Sequence, residues 1–290
     1  MRGQDWARFL LLSAIWGSSF VFIRMCAPVF GPFLTASGRL GLAGIALVVY
    51  LRVVRFDAQW TRYRWDYLKV GVLASGAPFI CFAVGALKLP ASLLSILNAC
   101  TPLFAAIFAA IWLGEGFGWK RALGVALGIT GVTLANGLSP IEFTPVTLLA
   151  IGITILAPLC YALAGIYIKL RASHLPAQGN AAFSQLMIAP VVALGIPLAP
   201  PSGLPSPGAV AALVTLALLC SAVAYLIFYR LMADIGPTKV TTITFVIPVF
   251  GMLWGALFLG EVITGGMLIG CAVMLAGTGL VVAPTAKPAS

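Results

Sequence analysis

The chain has 290 residues, of which 61% are hydrophobic and only 8% are charged, and its formal net charge is +10. A water-soluble domain of this size could not keep so apolar a surface in solution. Apolar runs long enough to cross a bilayer recur along the whole sequence, whereas a membrane β-barrel would show short alternating segments. The composition therefore predicts an all-α membrane protein embedded in a lipid bilayer.

Ten transmembrane helices are predicted along the chain, several of them separated by segments that contain Pro, Gly or Ser. The first predicted helix resembles a signal peptide. However, Trp16 and Arg24 within it have counterparts at a shift of 145 residues, namely Tyr161 and Lys169. Because a cleaved segment would not need an internal counterpart, we retain it as a transmembrane helix. Residues 284–290 are predicted to form a disordered tail. The predicted spans cover residues 5–24, 32–51, 66–87, 90–113, 119–137, 145–168, 178–198, 208–230, 238–259 and 264–283.

The basic residues are distributed unevenly over the predicted connections. Of the 17 lysines and arginines, all except Arg24, Lys88 and Arg39 lie at the termini or near connections on one side of the membrane. Because positively charged connections stay in the cytoplasm, both termini are predicted to be cytoplasmic, in a multi-pass protein of the cell inner membrane. The net charge is thus a topology signal and requires no nucleic-acid partner.

Two segments of the chain are versions of each other. Residues 98–135 and 244–281 align without a gap at a shift of 146 residues, which places Pro102 on Pro248. The same register superimposes two Leu-Gly-Glu sequences, which end at Glu115 and Glu261. A proline and a Leu-Gly-Glu stop rarely coincide by chance in aliphatic runs, so the segments indicate an internal repeat.

The repeat divides the chain into predicted units at residues 1–137 and 145–283, each with five spans. Because five is odd, the second unit enters the membrane inverted, and Glu115 and Glu261 lie on opposite sides. Inverted repeats are typical of transporters, in which two halves exchange conformations around one site. We predict ten helices in two inverted five-helix repeats around a central cavity, with structural roles for both glutamates at span ends.

Pro102 and Pro248 lie near the middle of their spans, where each leaves the carbonyl four residues earlier without its helical donor. Asn98 and Thr244 occupy those positions. A freed carbonyl beside a polar side chain suits ligand binding, with the prolines as hinges, and it equally suits a kink that a local polar group satisfies.

Polar side chains also recur every three residues on both proline-containing spans, where they either line the cavity or join helices. Span 4 carries Ser92, Ser95, Asn98 and Thr101, and span 9 carries Thr238, Thr241 and Thr244. Thr242 adds a further hydroxyl. The polar residues predicted to bind substrate are Asn98, Thr101, Thr242 and Thr244.

Several aromatic residues lie deeper than the interfacial belt that Trp and Tyr usually occupy. We predict that they wall the cavity and contact the apolar part of a substrate, with plain core packing as the alternative. These residues are Trp16, Phe79, Phe82, Tyr161 and Tyr225.

Arg39 is the only basic residue well inside a predicted span. An intramembrane charge marks a functional site by default, but small neighbours such as Gly38 and Gly41 favour a structural role here. No Asp or Glu lies in the middle of a span, so no proton relay is expected. The six cysteines lie mostly in apolar runs without CxxC spacing, so neither a metal nor a cofactor is expected.

Together with the repeat, the sequence Ile15-Trp16-Gly17-Ser18-Ser19 resembles the EamA-like family of the drug/metabolite transporter superfamily. The resemblance covers essentially the whole chain. It implies a cavity walled by spans 1, 3, 4, 6, 8 and 9, and it is closest to bacterial exporters of aromatic amino acids. Four-helix multidrug relatives carry a buried glutamate in their first helix, but Leu10–Ile23 has no carboxylate. This departure argues against proton-driven multidrug antiport.

The expected function is export of small neutral or zwitterionic metabolites, such as amino acids, by alternating access in a monomer or homodimer. Facilitated movement is favoured, and ion-coupled export of drugs or other metabolites is the alternative. A membrane enzyme would need buried catalytic groups, whereas the chain has one His, His174, in a predicted loop. A non-transporting receptor would not need matched polar stripes in both halves.

Overall fold

The protein is described from a computed structural model that covers residues 2–137, 144–240 and 242–282, without the side chains of residues 136, 137, 237 and 238. Thr241 and the predicted tail 284–290 lie outside the described residues. Within these ranges every regular element is helical. The α-helices are α1 Gly3–Val53, α2 Trp60–Gly71, α3 Ala77–Gly85, α4 Ala91–Asn98, α5 Thr101–Leu113, α6 Trp119–Gly137, α7 Pro145–Arg171, α8 Ala177–Ala193, α9 Pro207–Ala217, α10 Ala224–Ile235, α11 Pro237–Val240, α12 Ile243–Leu259 and α13 Gly265–Val282.

Six helical segments of the described chain are long and apolar enough to cross a membrane. Their outer faces carry large exposed aliphatic side chains, including Ile45, Ile111 and Leu149, each more than half exposed. Such a surface is energetically favourable in contact with lipid and unfavourable in contact with water. The six segments are Gly3–Val53, Trp60–Gly85, Ala91–Leu113, Pro145–Arg171, Pro207–Ile235 and Gly265–Val282, and the predicted count of ten stays a prediction.

Helix α1 is interrupted at Gly31, which has φ 72° and ψ 163° and lies between Pro28 and Pro32. Glycine adopts a positive φ without steric cost, and Pro32 has no N–H to continue the helical hydrogen bonding. The interruption falls between the predicted spans 5–24 and 32–51. The first 51-residue helix therefore consists of two arms on either side of Gly31.

Helices α6 and α13 pack on each other through glycines and run antiparallel. A Cβ atom at Gly277 would lie 2.5 Å from the carbonyl oxygen of Gly124, and one at Gly131 would lie 2.6 Å from the carbonyl oxygen of Gly270. Only residues without a side chain let two backbones approach this closely. The two contacts are equivalent under the shift of 146 residues, because Gly124 aligns with Gly270 and Gly131 with Gly277.

The largest buried cluster lies where α1, α4, α10 and α12 meet, and it includes Leu12, Leu97 and Ile243. Two close helix contacts hold these elements together. Gly17 on α1 packs against Phe250 of α12, where an added Cβ would lie 2.6 Å from the Phe250 Cβ. Gly251 of α12 packs against Ser95 of α4.

Replacement of Gly277 by Val should destabilise the protein by about 1–3 kcal/mol, because the new side chain overlaps the backbone of α6. Gly279→Val is the matched control in the same helix, since a Cβ at Gly279 meets no atom within 4 Å. The measurement is thermal unfolding of the purified protein in detergent. Equal unfolding temperatures for the two variants would contradict the glycine contact.

Candidate functional site

The five predicted aromatic residues come together from four helices inside the bundle. The ring centroids of Trp16 on α1 and Tyr225 on α10 are 6.3 Å apart, and those of Phe82 on α3 and Tyr161 on α7 are 6.4 Å apart. Phe79 belongs to the buried cluster against which Tyr161 packs. Phe79 and Phe82 are buried, whereas Trp16, Tyr161 and Tyr225 are only partly buried.

Arg39 lies against this aromatic group. Its guanidinium carbon is 3.9 Å from the centre of the Phe79 ring, and its Nε donates a hydrogen bond of 2.8 Å to the Ser221 hydroxyl. The hydroxyls of Tyr161 and Tyr225 are close enough to interact with the guanidinium electrostatically. Arg39 is only 6% exposed, so its charge is held inside the protein, next to residues that the sequence predicts as substrate-binding.

Two π-helical segments flank the aromatic group, Val72–Gly76 between α2 and α3 and Leu218–Val223 between α9 and α10. They begin at equivalent positions under the shift of 146 residues, and so do Ser75 and Ser221 within them. A π-helical turn contains an extra residue, re-aims the side chains around it, and is frequent at functional sites. The sequence reasoning missed these segments, although the recurrence of serine at the repeat shift was a usable signal.

The break between α4 and α5 is satisfied by a neighbouring side chain. Helix α4 ends at Asn98 and α5 begins at Thr101, one residue before Pro102. The Thr101 hydroxyl donates a hydrogen bond of 2.8 Å to the Asn98 carbonyl, which is the carbonyl that Pro102 leaves without a helical donor. The Asn98 side chain is half-buried at this break.

The second proline segment is built differently. Pro248 lies inside the continuous helix α12, and the break precedes that helix, between Val240 and Ile243. The Thr242 hydroxyl donates a hydrogen bond of 2.6 Å to the Lys239 carbonyl at this break, and Thr244 lies in the first turn of α12. The two prolines are equivalent in sequence, but only Pro102 lies at a break in its helix.

Glu261 and Glu115 end equivalent helices and make different contacts. The Glu261 carboxylate accepts hydrogen bonds of 2.6 and 2.9 Å from the backbone N–H groups of Ala91 and Ser92, at the start of α4. The Glu115 carboxylate pairs with Arg121 at 3.3 Å and with Lys169 at 3.4 Å. Glu261 therefore caps a helix N-terminus, where a negative charge is favourable, whereas Glu115 forms a partly exposed ion pair.

A pocket of 520 Å³ lies at the same end of the molecule as the Glu261 contact. Arg24 and Lys88 line it together with Ser92 and Glu261. The Arg24 guanidinium also donates a hydrogen bond to the carbonyl of Ala86. The pocket thus has two cationic side chains beside a carboxylate that backbone N–H groups already hold.

The remaining charged and thiol groups show no metal-binding arrangement in the part of the chain that the structure describes. All six cysteines are free thiols. Of the seven carboxylate residues, Glu142 lies outside the described residues, and each of the other six has a partner. These contacts are Asp5 with Arg2, Asp57 with the backbone N–H of Gln59, Asp66 with Lys69 and His174, Asp234 with Arg8 and Arg230, and the Glu115 and Glu261 contacts above.

The EamA-like transporter family model matches residues 6–137 and 148–283, so the chain belongs to the EamA-like transporter family. The members of this family that it resembles are membrane transporters, which agrees with the apolar helices and with a small-molecule substrate. The resemblance predicted from the sequence is confirmed.

Three curated relatives match nearly the whole chain. A chloroplastic WAT1-related protein from Arabidopsis thaliana is 26% identical, over 96% of this chain and 69% of the relative. A probable terminal-alkyne amino-acid exporter from Streptantibioticus cattleyicolor is 25% identical, over 95% and 92%. A probable amino-acid metabolite efflux pump from Escherichia coli is 24% identical, over 96% and 94%.

One solved crystal structure has the same overall fold. It superimposes with a TM-score of 0.69 at 17% identity and covers 97% of this chain and 96% of its own chain. At this identity the likeness concerns the fold alone.

Glu261→Gln should lower the thermal stability by about 1–2 kcal/mol, because the neutral amide no longer supplies a negative charge to the two N–H groups of α4. Glu115→Gln is the matched control, and we expect at most about 0.5 kcal/mol because partly exposed ion pairs contribute little. Thermal unfolding of both variants in one detergent measures the difference. A larger effect for Glu115→Gln would show that the helix cap is unimportant.

Proposed function

We propose that this EamA-family protein exports amino acids or similar zwitterionic metabolites by alternating access. The observation that carries the proposal is the meeting of Trp16, Phe82, Tyr161 and Tyr225, from four helices, beside the buried Arg39. Aromatic rings suit the apolar part of a small solute, and a few polar groups then fix its orientation. Two relatives named as probable amino-acid exporter or efflux pump support the substrate class.

We further propose ten spans in two inverted repeats, residues 1–137 and 145–283. Separate matches of the family model to residues 6–137 and 148–283 support two copies of one unit. A 51-residue helix would be roughly 75 Å long if straight, more than twice the hydrocarbon thickness, so the break at Gly31 suits two crossings by α1. The equivalent glycine contacts between α6 and α13 support an inverted arrangement.

In this proposal the site lies between the two repeats. Trp16, Phe79, Phe82, Tyr161 and Tyr225 contact the apolar part of the substrate, and Asn98, Thr101, Thr242 and Thr244 contribute the polar wall. Pro102 and Pro248 act as hinges, since Pro102 lies at the break between α4 and α5 and Pro248 leaves a carbonyl of α12 without its helical donor. Glu115 and Glu261 hold the helix ends, and both termini face the cytoplasm in an inner membrane.

Transport in this proposal follows the solute gradient. Proton-coupled carriers use an ionisable carboxylate near the middle of the membrane. Among the described residues, five of the six carboxylates lie at helix ends or connections and Asp66 lies within α2, and each of the six has a polar partner. Facilitated exchange is therefore favoured over proton antiport.

Counterflow in proteoliposomes tests the function directly. Purified protein is reconstituted without a pH gradient, the vesicles are loaded with one unlabelled amino acid per batch, and uptake of labelled phenylalanine or leucine is followed. We expect uptake only in vesicles that contain protein and a loaded amino acid. Uptake that needs an imposed pH gradient would contradict facilitated exchange. If none of the tested amino acids gave uptake, with or without a pH gradient, amino-acid transport would be contradicted.

Asn98→Ala should reduce counterflow about tenfold, because a polar contact with the solute is lost. The kink itself should persist, since the Thr101 hydroxyl and not the Asn98 side chain satisfies the freed carbonyl. Thr130→Ala is the matched control, because Thr130 is exposed on α6 and bonds only its own helix, at Ala126. If both variants transported like the parent protein, Asn98 would not belong to the site.

A further inference from the structure

Arg39 carries a buried charge that no described carboxylate neutralises. The guanidinium contacts the Ser221 hydroxyl at 2.8 Å, the Cys220 carbonyl at 3.5 Å and the face of the Phe79 ring. All three partners are uncharged. Buried charges in proteins are normally paired, because an ion that leaves water loses its hydration energy.

The protein's own acids do not supply the missing negative charge. Each of the six described carboxylates is engaged with another partner, and the partners are cationic side chains or backbone N–H groups at helix ends. Glu261 illustrates this, since its two oxygens are occupied by the N–H groups of Ala91 and Ser92. Arg39 thus has no carboxylate partner among the described residues.

Arg39 has N–H donors that its described partners do not use. Arginine has five N–H donors, and the contacts with Ser221 and Cys220 use only part of them. Tyr161 and Tyr225 interact electrostatically with the guanidinium, and both residues are only partly buried.

We propose that Arg39 binds the carboxylate of the transported substrate, beside the partly buried residues Tyr161 and Tyr225. This inference rests on the proposed function. It specifies the substrates as carboxylates that also carry an apolar group, and the rings of Trp16 and Phe82 contact that apolar group. An arginine fork matches the two oxygens of a carboxylate, whereas a lysine ammonium supplies a point charge. Removal of the carboxylate from the ligand should therefore abolish recognition, and removal of its amine should not.

The first experiment uses the unmodified protein and three probes of one size: phenylalanine, 3-phenylpropionate, which lacks the amine, and phenethylamine, which lacks the carboxylate. Thermal stabilisation of the purified protein is measured with each probe and with inorganic phosphate. We expect stabilisation by the two carboxylates and none by phenethylamine. Stabilisation by phenethylamine equal to that by 3-phenylpropionate would overturn the proposal, and a response to phosphate alone would assign Arg39 to phosphate instead.

The second experiment compares Arg39→Gln and Arg39→Lys with Arg52→Gln, which removes a charge from the exposed end of α1. We expect Arg39→Gln to weaken carboxylate binding about tenfold to a hundredfold, Arg39→Lys to recover part of it, and Arg52→Gln to bind normally. Carboxylate discrimination that survives in Arg39→Gln would overturn the proposal. If Arg39→Gln does not fold, Arg39→Lys and the three-probe series on the parent protein decide the question.

The two experiments on Arg39 can be distinguished from a failure of the proposed amino-acid transport. Thermal stabilisation reports binding and needs no flux, so a protein that recognises carboxylates but fails in amino-acid counterflow would retain the role of Arg39 and lose the amino-acid assignment. A protein that exchanges phenylalanine but is inhibited equally by phenethylamine and 3-phenylpropionate would retain transport and lose the role of Arg39.

Discussion

A bilayer offers no water to the peptide backbone, so every N–H and C=O group at membrane depth must find its partner within the protein. This constraint explains why the described chain is helical and why its few irregular points are compensated locally. At the break before Pro102, the Thr101 hydroxyl bonds the freed carbonyl of Asn98. At the break before Ile243, the Thr242 hydroxyl bonds the carbonyl of Lys239. Hydroxyl side chains thus satisfy carbonyl groups at both interruptions.

Close packing of glycines determines the contact between α6 and α13. Because lipid tails are as apolar as leucine, helices associate in membranes mainly through close packing, which glycine permits. The α6–α13 contact uses four glycines in two equivalent pairs. The two ends of the molecule are not equivalent. Glu261 holds the N–H groups at the start of α4, but the position equivalent to Ala91 is Pro237, which has no N–H for Glu115 to bind. The two glutamates therefore make different contacts at the two ends.

Much of the architecture can be predicted from the sequence because it depends on local patterns. Long apolar runs predict helices, and the five aromatic residues predicted to face one region do lie near one another. Contacts that depend on the rotation and tilt of packed helices cannot be predicted in this way. The hydrogen bond between Arg39 and Ser221 joins residues 182 positions apart, and periodicity alone does not reveal it. Likewise, Pro248 matches Pro102 in sequence, yet α12 continues through Pro248.

The proposed binding of a carboxylate at Arg39 explains why no carboxylate of the described protein lies beside it. A carboxylate placed beside Arg39 would remove the cost of its buried charge, but it would also occupy the donors that a substrate needs. Ser221 and the Phe79 ring orient the guanidinium without neutralising it, which leaves its charge available to a ligand. The unpaired charge then costs stability in the empty protein, and a bound anion offsets that cost. Under this arrangement the substrate itself stabilises the state in which the site is occupied, which is the differential interaction that any ligand-driven change of conformation requires.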